Sequence, residues 1–166
     1  MPRQPPHRES AADAARLAQL AESLADAVDA AIGPWVVRVV AAVADAWTPG
    51  LASRLAPAAT EAGEQAARDV GARVRALLMA DVDEQATGPL ALLRGAVRHP
   101  TAVLADAGVP PVARDEFAVR AFPEDVYGLA PAAFADVDPA LHEPGLVWGA
   151  AKAHVVLARR RAEGRR

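Results

Sequence analysis

Cysteine is absent from the 166-residue chain, which excludes disulfides, thiolate zinc sites, iron–sulfur clusters and a cysteine nucleophile. Lysine is nearly absent: Lys152 stands alone, so the cationic side chains are arginines. Serine occurs only at Ser10, Ser23 and Ser53. None lies in a G-x-S-x-G elbow or beside a histidine, so serine hydrolase chemistry is not expected. Aromatic residues make up only 4%. A strong charge of either sign is also missing, and the net charge of −3 makes no global case for nucleic acid or an anionic membrane surface. No apolar run follows the basic residues of MPRQPPHRES, so no secretory signal is expected there and a cytoplasmic home is.

What is present is alanine. Apolar residues reach 52%, but Leu, Ile, Val and Phe supply only roughly a fifth to a quarter of the chain, near the level below which chains stay unfolded. So thin a core is best built by close helix–helix packing, where small residues let backbones approach. The length suits one domain. The usage of Ala, Arg, Gly and Pro fits a GC-rich genome.

Residues 1–9 hold three prolines and no periodicity, and are expected to form a disordered arm. From Ser10, a good N-cap, Leu17, Leu20, Leu24, Val28 and Ala31 recur at helical spacing. They predict an amphipathic helix over 10–32 that Gly33 ends. Pro34 then fits the first turn of a second helix, 34–47. There Val36, Val40, Val43 and Trp47 form a stripe that Val37 and Val39 widen, so this helix is either central or faces a partner. The apolar stretch 30–47 carries Arg38, Asp45 and the Gly33-Pro34 break, which argues for a buried soluble helix and against membrane insertion.

Thr48-Pro49 opens a third helical region, 49–83, which Pro57 should kink or split. Its stripe is Ala59, Gly63, Ala66, Val70, Val74, Leu77 and Leu78. The small first half predicts a close helix crossing, and the large second half a fuller core layer. Eight of the fourteen prolines fall in 89–144, so only short helices are expected there, near 89–98, 101–107 (closed by Gly108), 111–121, 124–128 and 131–135. Pro144 can start a last helix through Trp148, Ala151, Val155 and Ala158. The predicted architecture is all-α: a three-helix core wrapped by short proline-bounded helices and a C-terminal helix. It forms one domain over 10–158 with a basic frayed tail over 159–166. There is no repeat and no heptad run.

Five of the seven aromatics, Phe117, Phe122, Tyr127, Phe134 and Trp148, lie in the proline-rich half. They fit extra cover for a thin core, and equally an aromatic recognition surface.

Polar side chains are densest at Asp136, Asp138, His142 and Glu143, with His154 further on. Oxygen and imidazole donors suit hard and borderline metals, but the spacing matches no ligand template, and Asp138-Pro139 reads as turn chemistry. His154 lies beside an apolar stripe, as a packing histidine does. The segment 145–152 has glycines and Lys152, yet no strand precedes it and both nucleotide fingerprints fail. No cofactor is expected. Arg114, Asp115, Glu116, Arg120, Glu124 and Asp125 read as a solvated charged face. Arg159, Arg160, Arg161, Arg165 and Arg166 form the one strongly biased tract. It complements a helix C-terminus or, alternatively, contacts phosphates. No helix-turn-helix pattern accompanies it.

The block at 122–152, FPEDVYGLAPAAFADVDPALHEPGLVWGAAK, resembles small uncharacterised helical proteins of actinobacteria. It covers only part of the last third of the chain, implies no activity, and transfers no functional residue.

These observations favour a non-enzymatic cytoplasmic interaction module, an adaptor or regulator, binding another protein or itself. The simplest homodimer uses helix 34–47 or the small-residue face from Ala59 to Gly71. A nucleic-acid-associated regulator using the arginine tract is the alternative. An enzyme or ligand-binding protein with a site at 136–154 is the lesser one.

Overall fold

A computed structural model of the chain describes residues 11–79, 89–130 and 137. The fold is all-α, with no strand among the described residues.

Helix α1 (Ala11–Trp47) is one continuous rod of 37 residues. The predicted stop at Gly33 and restart at Pro34 are not there. Proline inside a helix costs about 3 kcal/mol through a lost amide bond and a clash one turn back. Two local features soften that cost. The residue before Pro34 is glycine, which lacks the Cβ that would otherwise meet the proline ring. Ala30, whose carbonyl loses its partner, and Pro34 are both exposed, so that carbonyl lies on the wet side. The opposite face buries Leu24, Val28, Ile32, Trp35, Val36 and Val40 almost completely, and a break would have divided this stripe in two.

A tight turn at Thr48-Pro49-Gly50 folds the chain back into α2 (Leu51–Ala66). Asp45 of α1 caps it, its Oδ1 accepting from the Ala52 amide at 3.1 Å. Pro57 lies inside α2 and does not split it; the side chain is exposed. The irregularity comes ten residues later as a π-helical turn, Ala67–Gly71, followed by α3 (Ala72–Met79).

The buried positions explain that turn. Ala66, Val70, Val74 and Leu78 are buried at steps of four. On an α-helix of 3.6 residues per turn, three such steps drift roughly 120° around the axis. A wider π turn takes up part of the drift and keeps the stripe on α1.

The predicted close crossing is present. A Cβ placed on Gly63 would lie 2.8 Å from the Gly33 carbonyl oxygen and 3.1 Å from its Cα. Further along, Arg75 of α3 bridges to Asp29 (2.8 Å) and Asp26 of α1, and the carboxylates hold its guanidinium well above the usual arginine range.

Against this pair pack α4 (Pro89–Arg94), on α3, then a 3₁₀ turn (Gly95–Val97) and α5 (Arg98–Asp106), on α1 and α2, running without the expected gap. They bury Leu93, Ala96, Val97 and Leu104. Gly108 closes α5 as expected, at φ 74°, with the Val109 amide donating back to the Leu104 carbonyl at 3.0 Å. The helix expected over 111–121 is shorter, α6 (Glu116–Ala121). Turns replace the one expected at 124–128. The expected arm 1–9, helix 131–135, final helix and tail lie outside the described residues.

Candidate functional site

Helix α6 is fixed at both ends and buries nothing. Asp115 accepts from the Ala118 amide at 2.8 Å, a side-chain N-cap that satisfies one of the amides left over at a helix start. Arg114 reaches past the helix and donates to the Phe122 carbonyl at 3.0 Å, occupying an acceptor at the other end. The segments around it are equally tied. Tyr127 is buried and donates from its hydroxyl to the Val109 carbonyl at 2.6 Å; burial pushes the phenol above its ordinary pKa, so it stays a donor. Asp125 is 4% exposed, and its two carboxylate oxygens accept from the Leu129 and Ala130 amides at 2.7 Å each. Arg94 stacks over the Phe122 ring, 4.8 Å from its centre.

On this braced scaffold Phe117 is 79% exposed, with Val112 and Val119 also open to solvent. None of the six residues of α6 is buried. Because the backbone of α6 is already ordered, covering Phe117 costs rotamer freedom of its side chain but little further backbone ordering.

The second feature is a groove of about 560 Å³ between α2 and α5. Ala58, Ala62, Ala102 and Val103 contribute its apolar lining; Glu61, Gln65, Asp69, Arg98, His99 and Asp106 contribute polar groups. Asp69 comes from the middle of the π turn. One oxygen accepts from Gln65 at 2.8 Å, and the other lies 3.7 Å from His99 Nε2. Only 13% of the His99 side chain is exposed, and Nε2 is buried without a hydrogen bond among the described residues. Burial holds the imidazole below its ordinary pKa, against the pull of Asp69 and with the push of Arg98. Among the described residues no three His, Asp or Glu side chains gather as a metal site would need.

The expected interface residues divide. Val36 and Val40 are core, both essentially inaccessible, and so is the face from Ala59 to Gly71, where Ala59, Gly63, Ala66, Val70 and Gly71 are buried. Those surfaces already cover each other, because α1 packs on α2 and α3; a homodimer through them is replaced by an intramolecular contact. Tyr127 is likewise committed inside the chain, and Phe122 is half-buried. Trp47 (57% exposed) and Phe117 remain open. Phe134, Trp148, Asp136, Asp138, His142, Glu143, His154 and the arginines Arg159, Arg160, Arg161, Arg165 and Arg166 lie outside the described residues. Val137 is described: it is buried, and its carbonyl accepts from Arg38 of α1 at 2.9 Å.

Sequence reasoning missed the His99–Asp69 pair. The steps of four from Ala66 to Leu78 carried a signal for the π turn that presents Asp69, but nothing in the sequence places α5 opposite it. Comparison with protein-family models, with curated proteins and with solved structures gave no match.

Proposed function

We propose that this chain is a non-enzymatic helical interaction module of the cytoplasm, working through protein–protein contact, and that α6 is its contact element. The observation that carries the reading is Phe117, 79% exposed on a helix held at both ends. Covering a large apolar side chain is worth about 1.5–3 kcal/mol, and exposed aromatics on fixed supports are typical binding anchors. Phe117 and Val119 point about 200° apart around the helix. A flat partner covers one of them, whereas a groove that encloses α6 covers both. The partner's complementary surface is therefore concave and apolar, with a polar rim for Glu116 and Arg120.

The stretch Ala18–Trp47 is long and apolar enough, by length and composition, to cross a bilayer. The Gly33-Pro34 break that argued against spanning is not present. Support for a soluble role comes instead from packing. Val28, Ile32, Val36 and Val40 are covered by other helices, and Asp26 and Asp29 of the same helix are engaged by Arg75.

The test is site-specific photo-crosslinking in native cytosol. A photoreactive phenylalanine analogue replaces Phe117 in one sample and Ala42, exposed on α1, in another. A single stoichiometric protein adduct from position 117 and none from position 42 is the expected result. Equal, abundance-weighted labelling from both positions refutes the reading. Adducts that vanish with nuclease move the arginine tract of 159–166 ahead of α6.

A further inference from the structure

His99 is held in an unusual state for a buried side chain. Its Nε2 is buried and has no hydrogen-bond partner among the described residues, although Asp69 Oδ2 stands only 3.7 Å away. The ring projects from the first turn of α5 and borders an open groove that three carboxylates line: Glu61 from α2, Asp69 from the π turn and Asp106 from α5. Among the described residues Arg98, also of α5, is the one cation lining it. Two sites for the ring therefore adjoin. The inner one is dry and offers Nε2 no acceptor at bonding distance. The outer one is wet and predominantly acidic.

We propose that His99 is an acid-released latch between α5 and the π turn. Neutral, the ring wedges the first turn of α5 against Asp69. Protonated, it turns out of its dry site toward the acidic groove, and the first turn of α5 loosens from α2. The latch stands independently of the role proposed for α6.

The direction follows from which surroundings favour charge. A buried imidazolium loses its hydration, and Asp69 at 3.7 Å without a hydrogen bond recovers only part of it; Arg98 adds repulsion. The closed state thus holds His99 below the ordinary imidazole pKa of about 6.5, and an open, solvated state does not. The open state binds the proton more readily, so closure is complete above about pH 6.5 and weakens as pH falls below it. One proton sets the ceiling. At pH 5.5 the open population rises at most about ten-fold over its value at neutral pH.

The test uses the full chain. His99 is titrated by NMR, its resonance assigned as the one missing in His99→Gln. Hydrogen-exchange protection of residues 98–106 is measured from pH 7.5 to 5.5 and corrected for intrinsic exchange. Expected are a His99 titration below 6.5 and a several-fold loss of protection across α5 by pH 5.5. Asp69→Asn, which keeps the ring and removes the attraction, should move the titration further down. His99→Gln should make α5 protection independent of pH. A His99 titration at or above 6.5, protection unchanged with pH, or the same pH response in His99→Gln overturns the latch. If His99→Gln does not fold, His99 is assigned through its own backbone resonances and the unaltered chain decides: protection of α5 that does not fall as pH drops to 5.5 refutes the latch.

Discussion

Replacing Gly63 by alanine tests the packing at the centre of the molecule. A methyl group at Gly63 would meet the Gly33 oxygen at 2.8 Å and the Gly33 Cα at 3.1 Å, both backbone atoms, whereas ordinary contact begins near 3.4 Å. Neither neighbour is the end of a flexible side chain, so α1 and α2 must part locally by about 0.6 Å, the difference between 3.4 and 2.8 Å. A gap of that size forfeits about a quarter or more of each dispersion contact across the crossing, and forced overpacking of this kind costs roughly 1–3 kcal/mol. Alanine returns up to about 1 kcal/mol as the better helix former. The balance is a destabilisation of about 1–2 kcal/mol, or a melting point lower by roughly 3–6 °C for a chain of this size. Thermal unfolding followed by far-ultraviolet circular dichroism reads it directly. Gly95→Ala is the matched control: a Cβ there meets nothing within 4 Å, so the same change should stabilise by roughly 0.5–1 kcal/mol. If Gly63→Ala melts at or above the natural protein while Gly95→Ala behaves as stated, the backbone contact between α1 and α2 is not as close as described and the reasoning fails.

Two further substitutions test the bracing around α6. Tyr127→Phe strands the Val109 carbonyl, which accepts from the phenol at 2.6 Å, and should lower stability by about 1–2 kcal/mol; a urea midpoint unchanged within error contradicts it. Asp125→Ala removes the acceptor of two amides, each at 2.7 Å, and should cost about 2–3 kcal/mol, with faster exchange at the Leu129 and Ala130 amides as its local signature. Stability lost without that signature would place the effect elsewhere.

Some of this was legible in residue spacing. The stripe Ala59, Gly63, Ala66, Val70, Val74, Leu77 and Leu78 identified the buried face of the second rod, Leu77 alone being half-buried, and its glycine and alanine half marked where two backbones meet. The prolines misled in the first half of the chain. Pro34 and Pro57 each signal an interruption, yet both sit on exposed helix faces, where a carbonyl without an amide partner is left to water and the continuous buried stripe opposite outweighs the local penalty. Gly33, read as a helix end, instead relieves the clash before Pro34, while the close approach to its backbone is admitted by Gly63, where a Cβ would lie 2.8 Å from the Gly33 oxygen.

Composition and period alone determined that the chain is all-α, that small residues bring two of its helices close, and that thiol chemistry is excluded, because each depends only on which side chains exist and how often they recur. What each apolar residue faces was settled by tertiary structure. Val36 and Phe117 are both large, apolar and helical; one is sealed against a neighbouring helix and the other stands in water. The pairing of His99 with Asp69, thirty positions apart, likewise arises from the docking of α5 on α1 and α2 beside the π turn. Burial depends on neighbours distant in sequence, and periodicity in a single helix reports that a face is apolar without reporting what covers it.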